Sequence, residues 1–307
     1  MDDGSGDTYL RLRETPARLT AKTRKKAVAL APITEADAAA VADFLRSYHN
    51  GRVPWVLSCS ATPWTVEAPN HGFMLRDEQR VVGTLLALYS ERLVDGRVER
   101  FSNIGSWCVL PEYRHRSISL LNALLAQEGY HFTVLSPDEG TREILGWFRF
   151  RALDTTAAVV PNLPWPTTPG KTRISAEPEV IEANLTGTEL ELYHDHAQAL
   201  AAHHLVVIRG QESCYVIYRR SRYKGAPVLA AILHVSNPDL FKSALAPLAR
   251  HLLTRHGLIA TVAELRIIGD KPGRSFTLNR RPKMFRSATL EPGQVDYLYS
   301  ELVCVPS

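Results

Sequence analysis

Cysteine is sparse in this 307-residue chain, and long apolar runs are missing from it altogether. The four cysteines, Cys59, Cys108, Cys214 and Cys304, are widely scattered with no C-x-x-C pair. That spacing excludes a structural zinc site and a disulfide framework. No stretch is apolar for the length a bilayer requires, and no apolar leader precedes a cleavage site. The expectation is a soluble, cytoplasmic protein with no metal and no membrane partner. Nor is there a large excess of one charge: 36 Lys and Arg face 32 Asp and Glu, a net charge of +4. Such a balance permits an anionic ligand without demanding a nucleic acid. One basic run does occur, Arg11, Arg13, Arg18, Lys22, Arg24, Lys25 and Lys26 against Glu14 alone. No aromatic residue interleaves with it, as a single-strand binder requires, so residues 1–26 read as a solvated extension with no nucleic-acid partner.

What remains is 45% apolar and 22% charged, enough to build sizeable cores. Segments "AVALA", "GFMLRD", "RVVGTLLALYSERLV" and "RVERFSNIGSWCVL" read as strands, with hairpin turns at Asp77-Glu78 and Asp95-Gly96. A helix follows Thr34, with Ala38, Val41, Ala42 and Leu45 at helical spacing. A second follows Arg116 and places Ile118, Leu121 and Leu125 beside Leu120 and Leu124. Then come a strand at "HFTVLSP", a brief helix from Asp138 to Gly146 and a closing strand "RFRALDTTAAVV". The order predicts a mixed α/β sheet.

Pro161 to Lys171 holds four prolines and a glycine in eleven residues, which neither a helix nor a central strand tolerates. Beyond it the order repeats: a helix "GTELELYHDHAQALAAHH", strands "LVVIRG", "CYVIYRRSRY" and "PVLAAILHVS", a helix from Pro238 to His256, and strands "IATVAELRIIG" and "VDYLYSELVCV". "SWCVLPEYRHRSISLLNALL" and "AILHVSNPDLFKSALAPLARHLL" share one plan, a strand, a proline with an acid, then an amphipathic helix. This argues for a tandem duplication. The expected organisation is an extension over 1–26, a module over 27–160, a linker over 161–172 and a second module over 173–307.

The segment "CVLPEYRHRSIS" ends an apolar strand and opens a helix, with Arg114, His115 and Arg116 ahead of Ser117, Ile118 and Ser119. With "VVGTLLAL" and "FTVLSPDEGTREILGWFRF", it resembles the GCN5-related N-acetyltransferases over about Val28 to Pro164. That family carries Arg/Gln-x-x-Gly-x-Gly/Ala at the turn. The resemblance implies that backbone N–H groups there hold the pyrophosphate of coenzyme A at a helix N-terminus. It also implies that Cys108, Val109 and Leu110 offer backbone groups to the pantetheine arm, in a gap splayed between two strands. Serine at both glycine positions is a departure, since its Cβ crowds the approach while its hydroxyl and the three cations favour an anion.

Acyl transfer to an amine needs a base and a proton for the leaving thiolate. The tyrosine many family members use is replaced by Leu145, with Arg149-Phe150 at the usual Gly-Phe, and Tyr130 is the substitute candidate. Asn103 lies where the family often keeps a carboxylate, so Glu99 is the candidate base, with pairing to Arg97 or Arg100 as its structural alternative. Cys108 reads as a small core residue rather than a nucleophile. His194 and His196 fall on different helix faces, so they and His203 and His204 read as surface histidines. "RRSRYKG" and "NRRPKMFR" are basic clusters. Together they suit an anionic substrate or an acyl carrier protein. In "DYLYSELV", Tyr297, Tyr299 and Glu301 alternate with apolar neighbours on a face able to meet the first module. The implied function is an acyltransferase that uses acetyl-CoA or another acyl-CoA on a small-molecule amine. The alternatives are a non-catalytic ligand-binding or assembly module of the same fold, and a carrier-protein-dependent enzyme.

Overall fold

The computed structural model describes residues 28–51, 53–55, 62–166 and 171–306. The basic run between Arg11 and Lys26, Cys59 and residues 167–170 of the linker lie outside the described residues. Within them the chain forms two seven-stranded mixed sheets.

The first half supplies β1 (Val28–Pro32), α1 (Ala38–Tyr48), β2 (Gly72–Asp77), β3 (Arg80–Val94) and β4 (Arg97–Val109). A 3-10 turn (Pro111–Arg116) leads into α2 (Ser117–Leu125), followed by β5 (His131–Val134), α3 (Glu139–Trp147), β6 (Arg151–Leu153) and β7 (Ala157–Pro161). The β3–β4 turn is tight because Asp95 and Gly96 both take positive φ, 49° and 79°, as a two-residue hairpin demands. Strand β3 is buried almost continuously from Val81 to Ser90, for it lies between helices on one face and the second module on the other. Leu120, Leu121 and Leu124 of α2 are fully buried against this sheet. Each such side chain contributes ~1.5–3 kcal/mol.

The second half supplies β8 (Arg173–Ser175), α4 (Pro178–Glu182), α5 (Thr188–His196), β9 (His203–Arg209), β10 (Glu212–Tyr223) and β11 (Ala226–Val235). Then follow α6 (Pro238–Ser243), α7 (Leu245–His256), β12 (Ala260–Glu264), α8 (Leu265–Ile268), β13 (Phe276–Leu278), β14 (Lys283–Arg286) and α9 (Glu301–Cys304).

The strand orders are β1-β2-β3-β4-β5-β14-β6 and β8-β9-β10-β11-β12-β7-β13, the second read from its opposite edge. The two sheets thus share one topology with a strand exchanged. β7, from the first half, pairs with β12 and β13. β14, from the second, pairs with β5 and β6. The stretch read as one closing strand, "RFRALDTTAAVV", is two strands in different sheets. The cluster "NRRPKMFR" contains a strand interior to the other sheet, between β5 and β6. A boundary at residue 160 therefore cuts the sequence between modules without cutting between the sheets.

Other expectations change too. The helix read from Pro238 to His256 breaks at Ala244 into α6 and α7. The strand at "IATVAELRIIG" ends at Glu264 and turns into α8. "VDYLYSELVCV" is not a strand: Tyr299 takes φ 54°, and Ser300 caps α9 by accepting from the Leu302 N–H. The four histidines divide. His194 is exposed, whereas His196 is fully buried, accepting at Nε2 from the Tyr299 N–H with Nδ1 against the Leu192 carbonyl, and burial pushes its pKa down to about 4. His203 and His204 are not helical but open β9, half-buried, His203 stacked on Tyr218 and His204 meeting the Tyr215 hydroxyl of β10.

One apolar cluster joins the halves, with Trp64 and Leu88 from the first packed on Tyr215, Ile217, Phe285 and Leu298 from the second. The C-terminal segment after Val295 runs through it, and Arg92 of β3 ties that segment down through Asp296 at 2.6 Å.

Candidate active site

β4 and β5 pair in parallel only from Phe101 to Asn103. Beyond Asn103 they part, and a bulge is the local cause. Thr84 pairs with Cys108 and Leu86 with Gly105, so Ser106 and Trp107 oppose Leu85 alone. Ser106 takes φ 47°, the left-handed region, to make the extra residue fit. The bend opens a cavity of about 300 Å³, with Gly105, Ser106 and Trp107 on one wall and Val134, Ser136 and Leu145 on the other. The indole Nε1 of Trp107 is buried there without a partner among the described residues.

Glu301 does not line this cavity but lies directly behind two residues that do, Gly105 and Ser136. Its backbone N–H donates to Asn103 Oδ1 at 2.8 Å, and its Oε1 accepts from Ser136 Oγ at 3.0 Å. A Cβ on Gly105 would stand 3.6 Å from Glu301 Cβ, in ordinary contact, so the strand passes directly beside the side chain. Oε2 is buried with no partner among the described residues. Burial raises the Glu301 pKa above the usual carboxylate range, although Ser136 and the more distant Arg219 oppose the shift. Asn103, fully buried, also donates to the Thr133 hydroxyl at 3.1 Å. It therefore acts as an anchor: β4 bears an amide where a carboxylate was looked for, and that amide holds a carboxylate from the far end of the chain.

The residues singled out by sequence divide between this gap and other places. Glu99 lies six residues before Gly105, or ~20 Å along the strand, with Oε2 3.0 Å from His131 Nε2 rather than against Arg97 or Arg100. Tyr130 precedes β5 at the end away from the gap, packed edge-on against Tyr89 under the Arg100 guanidinium. Neither lines the cavity. Cys108 and Val109 pair with β3, and the Leu110 N–H donates to the Val82 carbonyl. Burial raises the Cys108 thiol pKa, as expected of a packing residue.

Arg114, His115 and Arg116 belong to the 3-10 turn, and Ser117 and Ile118 open α2. The Ser117 N–H donates to the Arg114 carbonyl and Ser119 Oγ to the Arg116 carbonyl, at 2.6 Å. The Ser117 N–H is thus taken up within the turn itself, while Arg114 and His115 stand exposed beside it. Among the described residues no group of three or more metal-ligating side chains occurs, and no helix is long and apolar enough to cross a membrane.

Sequence reasoning placed Glu301 on a face able to meet the first module but gave it no role. The clue was a carboxylate flanked by Ser300 and Leu302 in a largely apolar terminal segment.

No family model matches the chain, and no curated protein does. Solved structures do. A GCN5-related N-acetyltransferase from Anabaena variabilis is 12% identical, with a TM-score of 0.54 over 84% of this chain and 72% of its own. A probable N-acyltransferase from Enterococcus faecalis is 14% identical, with a TM-score of 0.55 over the same shares, 84% and 72%. The chain is thus built on the fold of the GCN5-related N-acetyltransferases, in two modules that exchange one strand.

Proposed function

We propose that this protein is an acyltransferase that moves an acyl group from a coenzyme A thioester to the amine of a small molecule, with Glu301 as its general base. The observation that carries the reading is the position of Glu301, a buried carboxylate with one oxygen unpartnered among the described residues, held by Ser136 beside the slot between two splayed strands. The slot suits an extended arm, which lies along the free edge of β4 as an added strand. Trp107 Nε1 supplies a donor awaiting an acceptor. The pyrophosphate falls chiefly to the Arg114, His115 and Arg116 side chains, since the Ser117 N–H is already engaged.

In the reaction the amine nitrogen bonds to the thioester carbon and the carbon–sulfur bond breaks. Glu301 takes the proton that the nitrogen gives up, and the thiolate leaves to be protonated by water. A raised carboxylate pKa suits this work, because it brings the base nearer the pH at which the enzyme operates. Turnover accordingly rises as pH increases through the Glu301 pKa.

The test is thiol release from acetyl-CoA across a panel of small primary amines. Glu301→Gln is expected to lower kcat by roughly 10²–10⁴-fold. Calorimetry with acetyl-CoA is expected to show little change in Kd for that variant, whereas Arg116→Ala weakens binding roughly tenfold, the scale of one charge-assisted hydrogen bond. A kcat within twofold of the parent would remove Glu301 from the chemistry. One observation favours a second reading, a non-catalytic module of the same fold: the helical turn at Pro111–Arg116 leaves no open cradle of amides. Absence of acetyl-CoA binding by the parent protein would decide for it.

A further inference from the structure

We infer that the second module holds a separate site for a nucleoside diphosphate, in the cavity between the start of α7 and residues 271–274. The cavity measures about 460 Å³ and shares no lining residue with the gap beside Glu301. That volume lies within the range of small-molecule sites.

Its walls divide by chemistry. Trp165, Val160 and Leu245 form an apolar side suited to a planar base. Lys242, Lys271 and Arg274 form a cationic side suited to phosphate. Arg274 takes φ 58°, an uncommon conformation for arginine, and sets its guanidinium 5.0 Å from the Trp165 ring centroid. A guanidinium stacked in this way keeps its N–H donors free at the edge to receive an anion. Neither Arg274 nor Lys271 has a carboxylate within 4 Å among the described residues. Lys242 does, with Asp239 at 3.3 Å and Asp270 at 3.7 Å, but both acids are almost wholly solvent-exposed and screened. The twelve-residue α7 begins at this wall with Ala244 as its cap, a residue with no side-chain acceptor for the first N–H groups. The positive end of its dipole adds to the three cations.

The test is calorimetric titration of the full chain with ADP and, separately, with inorganic pyrophosphate. We expect one ADP per chain, with affinity falling as NaCl rises from 50 to 300 mM because the contact is ionic. The double variant Lys271→Glu/Arg274→Glu is expected to weaken ADP at least tenfold, and both residues are exposed, so the fold, checked by circular dichroism, is expected to hold. Trp165→Ala is expected to weaken ADP and leave pyrophosphate unchanged. Arg116→Ala and Glu301→Gln are expected to leave ADP binding within twofold, which keeps this site distinct from the acyl-transfer reading. The proposal is overturned if ADP does not bind, if the double variant binds it as the parent does, if Arg116→Ala abolishes it, or if pyrophosphate binds as tightly as ADP.

Discussion

Divided at its proline-rich segment, the chain is expected to yield two halves that do not fold separately. Residues 27–160 retain β5 and β6 but lose β14, the strand that lies between them. Residues 173–307 lose β7, which bridges β12 and β13. In each case the missing strand is interior to the sheet, so its loss leaves two unpaired edges rather than one shorter sheet. Phe285 of β14 is fully buried, and its removal alone forfeits ~1.5–3 kcal/mol. The ladders on both sides and the apolar cluster between the modules go with it, against a total stability of roughly 5–15 kcal/mol. The expected result is a broad, non-cooperative melt by circular dichroism for either half. Coexpression of the halves restores a single sharp transition, because each half carries the strand the other needs. A cooperative melt from one isolated half would show that the exchange is not essential to folding.

Glu264→Ala is expected to destabilise the protein by ~3–5 kcal/mol, the usual penalty when one partner of a buried ionic cluster is removed. Glu264 ends β12 at 1% exposure and holds the modules together. Lys283 Nζ of β14 lies 2.7 Å from its carboxylate, Arg280 3.5 Å and Arg266 3.8 Å, and the Tyr297 hydroxyl donates to the other oxygen. Without the carboxylate, three cations share one buried spot. Denaturant unfolding measures the effect, and a loss below ~1 kcal/mol would mean that water or another acid compensates. The cluster also carries a pH signature. Burial, assisted by Arg280 and Arg266, depresses the Lys283 pKa to about 7 despite the attraction of Glu264. Between about pH 7 and its ordinary value of 10.5, the unfolded chain binds a proton at this lysine that the folded chain does not. Stability therefore rises with pH across that window. Lys283→Met is expected to flatten the rise, and an unchanged slope would assign it to another group.

The helices and long strands were legible in the sequence where local rules act alone. The β3–β4 hairpin was visible in Asp95-Gly96, because two successive positive φ values select that pair. The α2 face was visible in its leucines, since 3.6-residue spacing fixes which side chains share a side. The candidate base was not legible. Glu99 stands out in the sequence for its place on β4, yet strand spacing carries it away from the bulge and its carboxylate lies against His131. Glu301, some two hundred positions from its anchor Asn103, carries no local mark of its neighbour.

By itself, then, the sequence determined most of the element types, the internal repeat and the serine-bearing turn. Each follows from composition, periodicity or the steric needs of adjacent residues. Only the tertiary structure decided which sheet receives β7 and β14, where β4 parts from β5 and which carboxylate lies beside the gap. Those outcomes depend on contacts between distant segments, and their energies are set by burial and pairing that no local pattern encodes. The same reason turned "NRRPKMFR" from a basic cluster into an interior strand: Lys283 is buried because Glu264 is there to receive it.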